Sequence, residues 1–434
     1  MKLNRRQFLH RSTDSLLSAG LALPLLTGCS GAKHHSAKVV VVGGGYGGAA
    51  CARYLRYFDP QLDITLVEPQ QYYYSCPFSN AVIADIDPVS IIKHDYQTLA
   101  DKFAIKIIRD TVSGITPAKQ QVQLSDGATL PYDRLVLSPG ISFRWNHIFA
   151  GYDPAAITRM PHAWKAGEQT RLLRQQLQAM PDGGVFVMVV PGPPFRCPPG
   201  PYERASLIAW YLQRHKPRSK ILILDANEHF SKQDLFEEAW QRLYPTLIER
   251  IPISEGGLVT QLDPTTMQIR AEAGLFKADV ANVIPFQQAG KLAVDNDLVE
   301  QSGWCAVNHQ TFESERANNI HIIGDSCLAG AMPKSASSAN SQAKVCSLAI
   351  VNLLHDKPPG EMYYHNTCYS LITPEYGISI NAMFRYEQQQ FKLIQQAGGL
   401  SPLRAAASVR RAEAKHARAW YHSINLDTFG NGAG

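Results

Sequence analysis

Residues 38–68 read KVVVVGGGYGGAACARYLRYFDPQLDITLVE. Val39 to Val42 form a β-branched run bounded by glycine, the pattern of a buried parallel strand. Gly43, Gly45 and Gly48 follow in G-x-G-x-x-G spacing. Gly47 to Phe58 is helix-permissive, and Asp63 to Val67 reads as a second strand. It closes on Glu68, about 20–25 residues past the glycines, where a dinucleotide fold carries its acid. Gly43 permits the tight turn, Gly45 lets backbone N–H groups approach a pyrophosphate, and Gly48 lets helix and strand pack closely. Glu68 can accept hydrogen bonds from ribose hydroxyls. A glycine trio alone also suits a purely structural turn. Strand, helix, strand and acid together predict a dinucleotide site.

Outward toward the N-terminus, Arg5-Arg6-Gln7-Phe8-Leu9 is a twin-arginine pattern. An apolar stretch from Leu16 to Leu26 follows, broken by Ser18, Gly20 and Pro24, and too short for a membrane span. These residues predict export of a folded protein to the periplasm. Leu26-Thr27-Gly28-Cys29 resembles a lipoprotein cleavage box, so Cys29 is either a lipid anchor site or an incidental cysteine. The chain has 434 residues, enough for two or three domains. Its formal charge is +5; residues 1–29 hold Lys2, Arg5, Arg6, Arg11 and Asp14, a net +3, leaving +5 − 3 = +2. That near-neutral balance argues against a nucleic-acid partner. Past Cys29 no stretch is long enough to cross a bilayer. The chain has eight cysteines, with no C-x-x-C pair and no C-x-x-C-H, so it attaches no c-type haem and carries no zinc knuckle.

Outward toward the C-terminus comes QYYYSCPFSN, residues 71–80, where aromatics crowd Cys76. In composition alone Cys76 reads as a small buried hydrophobe. Strands are predicted at Ile105–Ile108, Gln121–Leu124 and Tyr132–Leu137, and an amphipathic helix at Ala166–Met180. Gly184–Val190, a helix at Tyr202–Arg214 and Ile221–Leu224 make a second β-α-β unit. Its turn reads PGPPFRCPPGP, residues 191–201. Pro191, Pro193, Pro194, Pro198 and Pro199 have no N–H to offer a phosphate. The fold is kept and the nicotinamide site is lost, with Cys197 in a rigid loop beside Arg196 and Glu203. Asp279–Ile284 reads as the last strand of that unit. Ile320–Asp325 is a strand ending in Gly-Asp, where Asp325 either bonds a ribityl chain or caps the turn. Ser335 opens a helix to about Leu354, its positive end available to a flavin. A basic helical stretch, Leu403 to His422, reads as a solvated face or a docking surface for an acidic partner.

Together VVVVGGGYGGA, EPQQYYYSCPFSN, MPHAWKAGEQT, PFRCPPGPYERAS, IHIIGDSCLAGAMPKSASSANSQAKV and YYHNTCYSLITPEYGISI resemble the flavoprotein subunit of flavocytochrome c sulfide dehydrogenase. The resemblance spans most of Lys38 to about Ile380 and implies an α/β fold. Two Rossmann-like dinucleotide-binding domains, glutathione-reductase-like, are followed by a C-terminal α+β domain. The implied domains are a signal segment at 1–29, an FAD domain at 37–145 and 286–355, a second Rossmann-like domain at 146–285, and an interface domain at 356–434. It implies FAD bound by Gly43, Gly45, Gly48, Glu68, Asp325 and Lys334, and held covalently through Cys76. Pro77-Phe78 after that cysteine departs from the family's Tyr-Leu. Cys197 and Cys368 are implied to form a redox-active disulfide attacked by hydrosulfide, at a sulfur the sequence leaves open. Glu203 manages protons there or forms a salt bridge to Arg196 or Arg204. The implied partner is a c-type cytochrome subunit. A sulfide:quinone oxidoreductase and a non-catalytic flavin-binding subunit are the alternatives. Cys51 and Cys346, in apolar helical contexts, are expected to be packed thiols.

Overall fold

The structure, a computed structural model, describes residues 36–145 and 149–430. The twin-arginine segment and Cys29 lie outside them. The valine run forms β1 (Lys38–Val42), with Val39 to Val42 all buried. β2 (Asp63–Val67), β3 (Lys106–Ile108) and β4 (Arg134–Leu137) join it in a parallel sheet. A strand with no polar face must be covered on both sides, which favours a parallel sheet interior. A second parallel sheet follows, built from β5 (Val185–Val190), β6 (Lys220–Asp225), β7 (Ile248–Ile251) and β8 (Val280–Val283) in the order β7–β6–β5–β8. The chain then returns as β9 (Ile320–Ile322) beside β4, giving the first sheet the order β9–β4–β1–β2–β3. Ile141–Phe143 pairs antiparallel with Gln287–Ala289, so the outgoing and returning segments touch.

Two glycines of the opening stretch are sterically obligatory. Gly43 adopts φ +97°, and a Cβ there would fall 2.4 Å from the Ser138 carbonyl oxygen. A Cβ on Gly48 would fall 1.8 Å from the Gly43 carbonyl oxygen. The turn therefore brings α1 (Tyr46–Phe58) against β1 with its N-terminus aimed past the strand ends. α2 (Glu168–Ala179) and α3 (Gly200–His215) belong to the middle of the chain. α4 (Ala336–Leu354) is capped by Ser335, whose Oγ accepts from the Ser338 N–H at 3.0 Å. It packs against α1, where Cys51 and Cys346 are fully buried thiols. Ser347 Oγ donates to the Cys51 carbonyl at 3.1 Å.

The C-terminal part is an antiparallel sheet of β10 (Tyr363–Thr373), β11 (Tyr376–Glu387) and β12 (Gln390–Leu393). It is covered by α5 (Ala407–Phe429). Arg410, Ala414, Ala417, Tyr421, Ile424 and Thr428 recur every three or four residues and are buried, the spacing of one helix face. The basic stretch is solvated at Arg404, Arg411 and Lys415, as read from sequence, but not at Arg410. Arg410 is 1% exposed; it donates to the Pro402 carbonyl at 2.8 Å and pairs with Glu413 at 3.2 Å and Glu238 at 3.4 Å. Arg418 pairs with Asp87 at 3.1 Å. Arg411 and Lys415 do face outward.

Candidate functional site

The carboxyl ends of β1, β4 and β9 open onto a cavity of about 970 Å³. Gly43, Gly44 and Gly45 line one end, beside Glu68. Glu68 accepts from the Gly44 N–H at 2.8 Å and the Gln70 N–H at 2.9 Å, which fixes its carboxylate at the mouth. Gly324 and Asp325 line the far side, with Ser335, Ala336 and Ser337 of the first turn of α4. Crevices outside the strand ends of open α/β sheets are where dinucleotides bind.

The residues present fit FAD. Asp325, Arg196, Trp164 and Tyr96 all line this cavity. Asp325 Oδ1, Arg196 Nε, Trp164 Nε1 and the Tyr96 hydroxyl are each buried without a hydrogen-bond partner among the described residues. Buried polar atoms are ordinarily satisfied, so four orphans around one cavity mark a polar ligand. Burial raises the Asp325 carboxyl, opposed by Arg196 at 3.8 Å and by Lys334.

Lys334 is a correction. Its ammonium donates to the Asp325 and Cys327 carbonyls at 2.8 Å each and lies 3.7 Å from the Trp304 ring centroid. It lines a separate cavity of about 630 Å³ behind the Gly-Asp turn. Two carbonyls and an aromatic face hold it there, so it braces that turn and does not face the main cavity.

The cysteines converge. Cys76 lines the main cavity, and its Sγ donates to the Trp164 carbonyl at 3.5 Å. The departure at Phe78 has a local reason: its ring stacks on Tyr421 at 4.4 Å, joining the Cys76 loop to α5. Cys197 and Cys368 reach the same cavity from the proline loop and from β10. Both are free thiols, so the expected bond between them is not formed. The dithiol is the two-electron-reduced form of the same pair, and closing the bond requires an oxidant. Cys197 has φ +57°, with its N–H donating to the Lys334 carbonyl at 2.8 Å. Burial raises the Cys197 thiol well above its usual range, and the neighbouring Cys368 and Glu203 push it further.

Glu203, on the first turn of α3, forms no ion pair with Arg196 or Arg204. It accepts from the Leu371 N–H at 2.8 Å and Asn80 Nδ2 at 3.0 Å. Burial raises its carboxyl, those two donors and Lys232 opposing. Arg204 instead binds Asn80 Oδ1, the His162 and Ala163 carbonyls and Asn282 Oδ1, at 2.7–3.1 Å. Fully buried, its guanidinium ties the Cys76 loop to the His162 segment and to β8.

Several site residues were not singled out from sequence, namely Asn80, His162, Trp164 and Lys232, and Arg204 was read only as a partner for Glu203. His162 lines the cavity, and its Nδ1 accepts from the Trp164 N–H at 2.9 Å. Burial, with Lys165 and Arg204, lowers it to about 3, so it is neutral. Asn80, His162, Trp164 and Arg204 all lie in the quoted family segments, which was the available signal. Lys232 lies in none.

The second β-α-β unit does not present its acid to a nucleotide. Asp225 at the end of β6 is fully buried and accepts from Tyr202 Oη at 2.8 Å, Arg250 Nε at 2.7 Å and Asn227 Nδ2 at 2.7 Å. The Tyr202 ring stacks on Phe230 at 3.6 Å. The acid a ribose would use is spent on side chains.

Two parallel dinucleotide folds and a thiol pair at the junction of cavity and loop define a flavin-dependent disulfide oxidoreductase, and the pyridine nucleotide-disulphide oxidoreductase model matches residues 37–171. More narrowly, the model of the central region of the sulfide dehydrogenase (flavocytochrome c) flavoprotein chain matches residues 170–285, and that of the flavocytochrome c sulphide dehydrogenase flavin-binding region matches 361–429. The chain belongs to the flavocytochrome c sulfide dehydrogenase flavoprotein family, a family of sulfide-oxidising flavoproteins. The sulfide dehydrogenase (flavocytochrome c) flavoprotein chain of Chlorobaculum thiosulfatiphilum is 62% identical over 45 residues, which cover 94% of that sequence and 10% of this one. A mitochondrial sulfide:quinone oxidoreductase of Dictyostelium discoideum is 24% identical over 364 residues, 80% of this chain and 78% of that one. The sulfide:quinone oxidoreductase structure from Aquifex aeolicus superposes with a TM-score of 0.68 at 20% identity, covering 91% of this chain and 93% of that one.

Proposed function

We propose that this protein oxidises hydrosulfide in the periplasm through a Cys197–Cys368 disulfide beside FAD, and passes the electrons to a c-type cytochrome subunit. The observation that carries the reading is the convergence of Cys197, Cys368 and Glu203 on the cavity that Cys76 and Asp325 also line. Hydrosulfide is a nucleophile and a disulfide sulfur its electrophile. Attack forms a persulfide on one cysteine and releases the other as a thiolate. Glu203, fixed by Asn80 and the Leu371 N–H with its carboxyl raised by burial, holds or takes the proton beside the pair. Gly43 to Gly45, Glu68 and Asp325 would hold the FAD, and Cys76, which lines the same cavity, would bind it covalently. The chemistry that FAD supplies when bound is acceptance of an electron pair and its release one electron at a time. That matches a two-electron substrate to a haem acceptor. The domain division expected from sequence and a lipid anchor at Cys29 belong to this reading, as does the twin-arginine segment, which supports export.

Transfer to a quinone is the second reading, favoured by the near-full-length match to a sulfide:quinone oxidoreductase. Among the described residues no helix is long and apolar enough to cross a membrane. Sulfide oxidation by the protein purified from its own periplasm is to be assayed with cytochrome c and, separately, with a soluble quinone. Cytochrome reduction, with a haem subunit co-purifying, is expected. A haem-free protein that reduces the quinone alone overturns the cytochrome assignment.

A further inference from the structure

Lys232 reaches Cys368 from the N-cap of the helix Gln233–Leu243 and has no part in the reading above. It is 6% exposed in a chain with abundant surface for lysine. Its ammonium donates to Ser370 Oγ at 2.7 Å, to the Cys368 carbonyl at 3.1 Å and to Cys368 Sγ at 3.8 Å. A buried cation is costly unless an anion or several acceptors compensate it. Two oxygens and a sulfur accept from it, and of these only the sulfur can become an anion; the Phe236 ring and the Glu203 carboxyl lie further out. No comparable cation bonds to Cys197, whose N–H is occupied by the Lys334 carbonyl.

We propose that Lys232 is a positioning residue that holds the Cys368 sulfur as a thiolate, making Cys368 the leaving half of the disulfide and Cys197 the half that takes up hydrosulfide. The inference rests on the redox pairing of the two cysteines. In thiol–disulfide exchange the better-stabilised thiolate leaves faster. The hydrosulfide sulfur bonds to Cys197 Sγ, the Cys197–Cys368 bond breaks, and its electron pair stays on Cys368 Sγ beside the ammonium. The products are a persulfide on Cys197 and a thiolate on Cys368. The other charged groups facing the pair are Glu203, which opposes ionisation of both sulfurs, Cys76, which opposes that of Cys197, and the Arg196 and Arg204 guanidiniums, which face Cys197; Lys232 favours the Cys197 thiolate too, but hydrogen-bonds only to Cys368. Burial raises Cys368 above its usual range, but Lys232 is the chief influence pulling it back, whereas Cys197 is raised well above its own.

The test begins with reduced holoenzyme, alkylated by iodoacetamide across a pH series and quantified peptide by peptide. Cys368 is expected to react at a pH about one unit below Cys197, a roughly tenfold difference in thiolate fraction near neutrality. Lys232→Met should abolish that gap, and Lys232→Arg should restore it. Flavin content and melting temperature report whether each variant folds. Ser370→Ala, which keeps the ammonium, supplies a milder second variant and should retain most of the gap. Cys197 reacting first in the wild type, or an unchanged gap in folded Lys232→Met, overturns the proposal. Oxidised wild-type holoenzyme given one equivalent of hydrosulfide and quenched with the alkylator should then carry the extra sulfur on Cys197. The extra sulfur on Cys368 contradicts the assignment. An enzyme that takes up no sulfur but keeps the alkylation gap overturns the sulfide reading and leaves the role of Lys232 standing.

Discussion

Glu203 shows how far a single residue's chemistry follows from its neighbours. Its carboxyl is buried at the start of a helix, where the dipole favours the anion, yet desolvation wins and raises it. The wild type should therefore show a limb in its sulfide-oxidation pH profile above the ordinary carboxylate range. Glu203→Gln preserves the acceptor for the Leu371 N–H but cannot exchange a proton. It should lower the rate by roughly 10²-fold and erase that limb with flavin content unchanged. A profile that keeps the limb in the variant would assign it to another group. The sequence made Glu203 a proton carrier or an arginine's partner. The structure removes the second, because Arg204 turns away to bind Asn80 and three backbone or side-chain oxygens across three segments. Contacts between segments some 40 to 120 residues apart leave no trace in local spacing. The same holds for Lys334, which was read toward the cofactor and is captured by Trp304.

At the scale of elements, α5 is where the sequence misled at one residue, Arg410. Five basic residues in twenty suggested a surface, but the 3.6-residue period puts Arg410 on the same face as Ala414 and Tyr421. Arg410→Ala removes a buried guanidinium shared by Glu238 and Glu413, which keep the Arg404 N–H and the Ser401 hydroxyl, and should destabilise the protein by about 1.5–3 kcal/mol. Arg411→Ala, at an outward position of the same turn, should stay within about 0.5 kcal/mol. Denaturant unfolding of the two variants checks this; equal effects would mean the helix is not seated as described. The end of α5 is anchored by Asp427, which accepts from Lys344 at 2.8 Å, Tyr54 Oη at 2.7 Å and Asn340 at 2.9 Å. Burial works to raise its carboxyl, but those donors more than offset it and hold it below its ordinary value. With the folded value depressed, the stability it contributes is full above the ordinary carboxylate pKa and lost as pH falls through the folded one. Asp427→Asn should thus cost about 1–2 kcal/mol at neutral pH and nothing at strongly acid pH. Melting curves across that range would contradict the account if the deficit persisted in acid.

Across the whole molecule the fold was legible because its strands are short valine- and isoleucine-rich runs and its two β-α-β turns carry opposite signatures. The glycine turn lines the main cavity; the proline turn, with Tyr202 and Phe230, lines the separate cavity of about 630 Å³, and Asp225 beside it is bonded to side chains. What remains is a flavin cavity with a thiol pair at its wall, fed from that proline loop and from β10. The account's central claim is that sulfide enters through this pair and does not reduce the flavin unaided. The most direct measurement is anaerobic mixing of hydrosulfide with wild type, with Cys197→Ser, with Cys368→Ser and with the double variant, following flavin absorbance. The account predicts rapid bleaching in the wild type and none in the three variants, all with equal flavin content. Bleaching of the double variant at the wild-type rate would contradict it.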